Sequence, residues 1–456
     1  MVERKTVSNS SLDSTFSVVK IPRDKKSHEY DPFEHRQVSH PTTDSETLFH
    51  LLKGSLGSGI LSMPLAFSNS GLWFGLISTI IVGSICTYCV HILVKCSYIL
   101  CRRAQLPSLS FAEIVELAFS SGPKPCRKWS SFARFLVNTF LVLDLLGCCV
   151  VYTSFVAKNV HQVVENYYPD FKMSLKLYML CLLPILIPIN LIRNLKNLAP
   201  LSVIANILIM TGVGITMYYI FQDLPTPNER PFIAEWNKVP MFFGTVIFAL
   251  EGIGVVMPLY NNMKTPSSFL GCPGVLNIGM TIVVLMYAGI GFLGYLKYGE
   301  HTEPFITLNL PVTEKLAQSV KLSIAIAILF TYALQFYVPM EIIWNSVRSS
   351  FSESKQTIVE NILRTVIVIG TVLIAISIPN IGPFISLVGA VCLSTLGLII
   401  PSVIELIIYY YEPGYGKFNY VLWKNAFLIV FGLIGFILGS YISLLEIIES
   451  LRYKEL

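Results

Sequence analysis

Two short strings hold most of the chemistry in this chain. One is Lys53-Gly54-Ser55-Leu56-Gly57-Ser58-Gly59-Ile60-Leu61-Ser62-Met63-Pro64. The other is Phe248-Ala249-Leu250-Glu251-Gly252-Ile253-Gly254-Val255-Val256-Met257-Pro258. Each sits in an apolar stretch, gathers glycine there and closes with Met-Pro. Glycine costs a helix interior about 1 kcal/mol relative to alanine, and proline about 3. Each stretch is therefore expected to unwind locally. In hydrocarbon the freed backbone groups must face protein, water or a ligand. Free N–H groups near Ser58, Gly59 and Ile60 would open a half-helix, and that end suits a carboxylate. Carbonyls near Phe248 and Leu250 would close another half-helix and suit an ammonium. A cation-seeking end and an anion-seeking end at one depth describe a zwitterion, and an amino acid is the simplest one. Gly57, Gly59, Gly252 and Gly254 would let the main chain come close. The competing reading, small residues as helix-packing contacts, accounts for one string more easily than for two that match.

Titratable residues inside apolar stretches are functional candidates by default. Glu251 leads, because it falls at the second break, where a low dielectric lets a carboxyl take up and release a proton. His50, about one turn before the first break, is the natural titrator near neutrality. Asp144 lies in the middle of an apolar stretch and either lines a cavity or pairs within the core. Glu341 and Glu405 follow prolines and read as gate or tethering carboxylates. His91 and Lys95 read as snorkelling groups. Tyr152 and Tyr332 are candidates to cap a bound solute, with a core role as the alternative. Sequence signatures of hydrolases, nucleotide sites and metal clusters are missing, and basic patches lack the aromatic interleaving of nucleic-acid binders. The expectation is no enzyme, no cofactor, no metal and no nucleic-acid partner.

The elements that must carry these residues follow from composition. Of 456 residues, 53% are hydrophobic and 13% charged, at a net charge of +5. Soluble domains carry about 25% charge, so a solvated enzyme surface and a disordered chain are excluded. Apolar stretches recur at 47–68, 72–100, 132–160, 174–192, 199–221, 239–260, 270–296, 316–348, 358–378, 383–410 and 422–447. A bilayer-spanning helix needs about 20 such residues, so the expectation is an all-α integral membrane protein with eleven crossings. The broken strings occupy crossings one and six. A shift of five reverses direction, so crossings 1–5 and 6–10 read as a 5+5 inverted repeat, with the eleventh as an extra helix. Matching interrupted crossings in two halves point to a transporter's binding site.

Residues 1–45 are polar and aperiodic, and read as a disordered cytosolic tail preceding a membrane domain over 46–450. The tail has no apolar signal-peptide core. Lys and Arg favour one set of loops by roughly two to one, which places the N-terminus in the cytosol and the C-terminus outside or in a lumen. The segment 108–120 is amphipathic and too short to cross, so it should lie at the membrane surface. Most of the ten cysteines fall in apolar runs and read as packing residues rather than a disulfide framework.

The string ETLFHLLKGSLGSGILSMPLAFSNSGLWFG resembles the proton-coupled amino acid transporter family of the amino acid/auxin permease group. FALEGIGVVMPLYNNMK, LGYLKYGE, FYVPMEIIW and IIPSVIELIIYYYEPGYGK extend the resemblance over about residues 40–447. It implies an eleven-helix fold of the bacterial leucine transporter type and symport of small neutral amino acids with protons. By position, His50 matches the histidine implicated in proton coupling. Gly54, Ser55, Gly57 and Gly59 match the first-helix substrate segment, and Glu251 and Gly252 the sixth-helix segment. Tyr260 and Asp144 depart from the family pattern, and the predicted outer loops hold no cysteine pair. The expected substrate site is thus Ser55, Gly57, Ser58, Gly59, Tyr152, Phe248, Glu251 and Gly252, with His50 and Glu251 carrying the proton. An alternative is an amino-acid-sensing receptor that signals with little flux to a growth-signalling complex through its tail. Tyr30-Asp31-Pro32-Phe33 fits a tyrosine-based sorting signal, which leaves the plasma membrane and the lysosome both open.

Overall fold

The computed structural model describes residues 30–36, 38, 41–55, 57, 59–170, 172–193, 195–250, 252–411 and 413–452. Among them the chain forms seventeen α-helices. They are α1 (Asp44–Ser55), α2 (Gly59–Ser70), α3 (Leu72–Ala104), α4 (Phe111–Ser121), α5 (Lys124–Arg127) and α6 (Ser130–Tyr167). Next come α7 (Leu175–Cys181), α8 (Leu183–Asn190), α9 (Leu195–Phe221), α10 (Val239–Ala249), α11 (Ile253–Asn262) and α12 (Val275–Tyr298). The last are α13 (Lys315–Val347), α14 (Glu353–Ser377), α15 (Ile381–Val388), α16 (Ile400–Ile408) and α17 (Tyr420–Arg452). A π-helical stretch, Gly389–Ile399, joins α15 to α16 without a bend to solvent.

Nine helices among the described residues are long and apolar enough to cross a membrane. The broken pair α1–α2 and the shorter apolar pair α7–α8 fall below that length. Each pair is a shorter apolar unit beside the nine full-length helices. Pro184 and Pro188 explain why the fourth stretch is short: a proline lacks the N–H that a helix interior needs. The bundle is apolar on the outside as well as within. Only 22% of the α17 crossing is buried, with Phe427, Ile434 and Ile437 on the surface, whereas 72% of the Ile381–Ile408 crossing is covered. An apolar face this large on a peripheral helix is a lipid-facing surface.

At the centre, α2 packs on α10 and α12, α6 packs on α13, and α10 packs on α15 and the π-helical stretch. The interrupted crossings therefore form the core and the plain ones surround it. The amphipathic segment folds as α4, started by a capping box in which Ser110 and Glu113 satisfy each other's backbone N–H groups. Its Phe111, Ile114 and Val115 are buried against the bundle. All the described cysteines are free thiols, as their apolar setting implies.

Buried ions act as ties between helices. Glu405 in α16 accepts from Lys424 Nζ at 2.5 Å and from Asn425 Nδ2 at 2.8 Å, both in α17. The tethering role expected for Glu405 is what the contacts show. Glu341, by contrast, is exposed on α13. His91 does not snorkel: its Nε2 lies 2.7 Å from Asn277 Oδ1, linking α3 to α12. Lys95 stands over the Tyr409 ring at 5.6 Å. Removing one partner of a buried pair strands the other charge and costs about 3–5 kcal/mol, whereas replacing both with apolar groups can be neutral. We therefore expect Lys424→Met to lower the thermal unfolding midpoint of the purified protein sharply, and Glu405→Met/Lys424→Met to recover most of it.

Candidate functional site

Both strings break where expected, and the glycines, not the prolines, mark the place. Helix α1 ends at Ser55 and α2 starts at Gly59; α10 ends at Ala249 and α11 starts at Ile253. Pro64 and Pro258 sit inside α2 and α11, each as the sixth residue of its helix. In both cases the missing N–H leaves the carbonyl four residues earlier, on Ile60 or Gly254, without its helical partner. The two half-helices thus share a detailed pattern, as two copies of one unit would.

The breaks touch. A Cβ on Gly59 would lie 2.6 Å from Ala249 Cα and 3.0 Å from Ala249 O, and a Cβ on Gly252 would lie 3.1 Å from Ser55 Oγ. Contact at that range brings the opening N–H groups of α2 beside the closing carbonyls of α10. Gly57 and Gly254, read from sequence as further points of approach, have nothing within 4 Å among the described residues. Ser55 is buried, and its Oγ has no hydrogen-bond partner among the described residues. A buried hydroxyl without a partner is costly unless something polar reaches it. The fully buried Tyr287 of α12 donates its hydroxyl to the Ser55 carbonyl, satisfying one of the acceptors that end α1.

Beside the second break is a void of about 30 Å³ bounded by Cys86, Val90, Leu250, Gly252, Leu393 and Gly397. It has room for a water or two. The π-helical stretch supplies Leu393 and Gly397, and such stretches occur often at functional sites. A larger cavity of about 590 Å³ opens at the end of the bundle where α2 finishes, lined by Leu65, Asn69, Lys158, Lys238, His301 and Glu303 among others.

Two crossed broken helices in an apolar bundle are a transporter's architecture, and the chain's relatives agree. A family model described as transmembrane amino acid transporter protein matches residues 40–445. The chain belongs to that family. The Drosophila melanogaster "Proton-coupled amino acid transporter-like protein pathetic" is 47% identical over 428 residues, 94% of this chain and 90% of that protein. The Arabidopsis thaliana "Amino acid transporter AVT3C" is 27% identical over 422 residues, covering 88% and 90%. Among solved structures, Mhp1 in its inward-facing conformation superposes with a TM-score of 0.53 at 14% identity, covering 93% of this chain and 92% of that one. Mhp1 in a closed conformation with bromovinylhydantoin bound gives 0.50 at 15% identity, covering 92% and 93%. At that identity the likeness concerns the fold alone, which is the broken-helix transporter fold expected from the five-crossing shift. The protein is a multi-pass membrane transporter of the amino acid transporter family, not an enzyme.

Within this family member, the structure brings Ser55, Gly59 and Gly252 together at the crossing of the breaks, with Ala249 and Leu250 buried beside them, whereas the buried Phe248 packs against Gly389 of the π-helical stretch. Tyr152 is buried in α6, and Asp144 is buried two turns earlier on the same helix. Ser58 and Glu251 lie outside the described residues. His50 is on an exposed face of α1, about one and a half turns before its end. Tyr332 takes the core role: its hydroxyl lies 2.7 Å from Thr371 Oγ1 and its ring stacks on Phe336.

Sequence reading missed two polar groups that shape the site. Tyr287 is a lone tyrosine in an apolar run, and nothing in its neighbours marks it. Lys321 looks like a loop-side charge at the start of α13 yet is fully buried. Its Nζ donates to Gln162 Oε1 at 2.7 Å and to the carbonyls of Thr307 at 2.6 Å and Leu308 at 3.4 Å. It pins the turn at Ile306–Asn309 to α6, at the end where the large cavity opens. Six residues into a helix is one face or the other by helical phase, and only packing decided which.

Proposed function

We propose that this transporter moves small neutral amino acids together with protons by alternating access. One observation carries the reading: Gly59 lies directly against Ala249, so a half-helix N-terminus and a half-helix C-terminus meet at one point in the core. The first favours a carboxylate and the second an ammonium. Ser55 Oγ supplies a further polar contact, and Tyr152 and Phe248 supply the wall. Glu251, between Leu250 and Gly252, carries the proton; His50, out on α1, is the second candidate. The Drosophila relative's name supports proton coupling, and the family match supports amino acids as cargo. The N-terminus is cytosolic in this reading, and the membrane is that of the cell surface or the lysosome.

A proton gradient as driving force fixes the sign of the pH dependence. Entry of labelled glycine, alanine and proline is expected to rise as pH falls on the side where the large cavity opens, with an inward current evoked by substrate. Uptake that required sodium and ignored pH would remove the proton from the mechanism.

A further inference from the structure

The polar N-terminal region is not featureless up to α1. Residues 31–35 fold into a turn in which Asp31 Oδ1 accepts from Phe33 N at 3.0 Å, and the Tyr30 ring stacks on His35 with centroids 4.4 Å apart. Phe33 leaves this turn and packs against Tyr98, near the end of α3, with centroids 5.1 Å apart, and against Tyr260 in α11 at 6.3 Å. Arg36 is the central clamp. Its Nε donates to Pro107 O at 2.9 Å and its Nη1 to Tyr260 O at 3.1 Å, so one guanidinium joins the α3–α4 loop to α11. The same group sits over the Phe33 and Tyr260 rings at 5.0 and 4.8 Å.

A second set of bonds follows immediately in sequence. Thr42 N donates to Asn262 O at 2.9 Å, and Lys264 N donates to Thr42 O at 2.8 Å. This pairs Thr42 with Met263 as an isolated parallel bridge. Thr265 Oγ1 reaches Asp44 Oδ1 at 2.6 Å. The start of α1 is thereby tied to the end of α11. These are the two half-helices on the same side of the breaks, and they line the route by which that side of the site would open. At its other end α1 is held to α12, where the Tyr287 hydroxyl donates to the Ser55 carbonyl, so the ties at its start govern whether that start can part from α11. The large cavity opens at the opposite end, beyond α2.

We infer that residues 30–36, together with Thr42, form a latch that holds this end of the transporter shut, and that its undocking sets how often α1 swings away from α11. The contacts are few and lie at the surface, the kind of unit that opens locally at far lower cost than the bundle. A latch that binds only the shut state shifts the population toward it. The inference rests on the alternating-access reading above and adds a regulator to it.

The test reads opening directly as well as transport. Ser55→Cys places a thiol at the buried end of α1, and an impermeant maleimide is applied to the latch side of oriented vesicles. Labelling of that peptide is followed by mass spectrometry. Adding Phe33→Ala/Arg36→Ala should speed labelling at least five-fold. In a second variant, Thr42→Cys/Met263→Cys, oxidation should suppress labelling and a reductant should restore it. Equal labelling rates in the released, bridged and parent proteins would overturn the latch. With Ser55 intact, the released protein should also show faster initial amino acid exchange per molecule; faster labelling with unchanged exchange would overturn the regulatory role. If the parent moved no amino acid at all, the functional reading would fall, while the labelling comparison would still decide whether the segment gates this end.

Discussion

Gly59→Ala will reduce amino acid transport to the level of cells lacking the protein. The added methyl would stand 2.6 Å from Ala249 Cα, with the Ala249 carbonyl carbon at 3.2 Å. Every atom in that clash is backbone, so no side chain can rotate away, and α2 must move off α10. Overpacking a tight core costs about 1–3 kcal/mol, which a protein of this size can survive. The site cannot, because the two helix ends would no longer address one solute. Gly254→Ala, at the second residue of α11, meets open space among the described residues and should transport normally. Labelled uptake normalised to protein in the membrane checks the pair. Normal uptake by Gly59→Ala would show that the crossing of the breaks is not the site.

Glu251→Gln will abolish proton-coupled net uptake while sparing amino acid exchange. In sequence the residue lies between Leu250, 5% exposed, and the buried Gly252, in the interval between the end of α10 at Ala249 and the start of α11 at Ile253. A carboxyl in such surroundings is costly when charged and cheap when neutral. Glutamine imitates the neutral form and can neither gain nor lose a proton. The carrier should then bind and swap amino acid across the membrane, yet accumulate none against a gradient and carry no substrate-evoked current. Counterflow and current recorded on the same preparation separate these outcomes. Coupled current retained by the variant would remove Glu251 from the cycle and move attention to His50.

The class, the bundle and both breaks were legible in the sequence because each has a local physical cause. Low charge and long apolar runs dictate crossings whatever they pack against. Glycine at 57, 59, 252 and 254 weakens a helix before any neighbour is present. The fourth crossing was legible as an apolar stretch, although its prolines leave only the short α7 and α8. Roles that depend on which way a side chain faces were less legible. His91 and Lys95 look alike in sequence, yet one bonds across to Asn277 and the other stands over an aromatic ring. Tyr287 and Arg36 reach backbone carbonyls far away in the chain and Lys321 reaches the distant Gln162 side chain, and no local pattern announces such partners.

Sequence alone therefore determined that the chain crosses a membrane repeatedly and that two crossings, five apart, cannot stay helical throughout. Those are properties of residue types and their order, governed by solvation and backbone propensity. Tertiary structure decided that the two interruptions touch at Gly59 and Ala249, and that Ser55 turns its hydroxyl inward. It also decided that Phe33, Arg36 and Thr42 reach α11 and the end of α3. Each depends on distances between residues far apart in the chain, fixed only when the helices close-pack against one another.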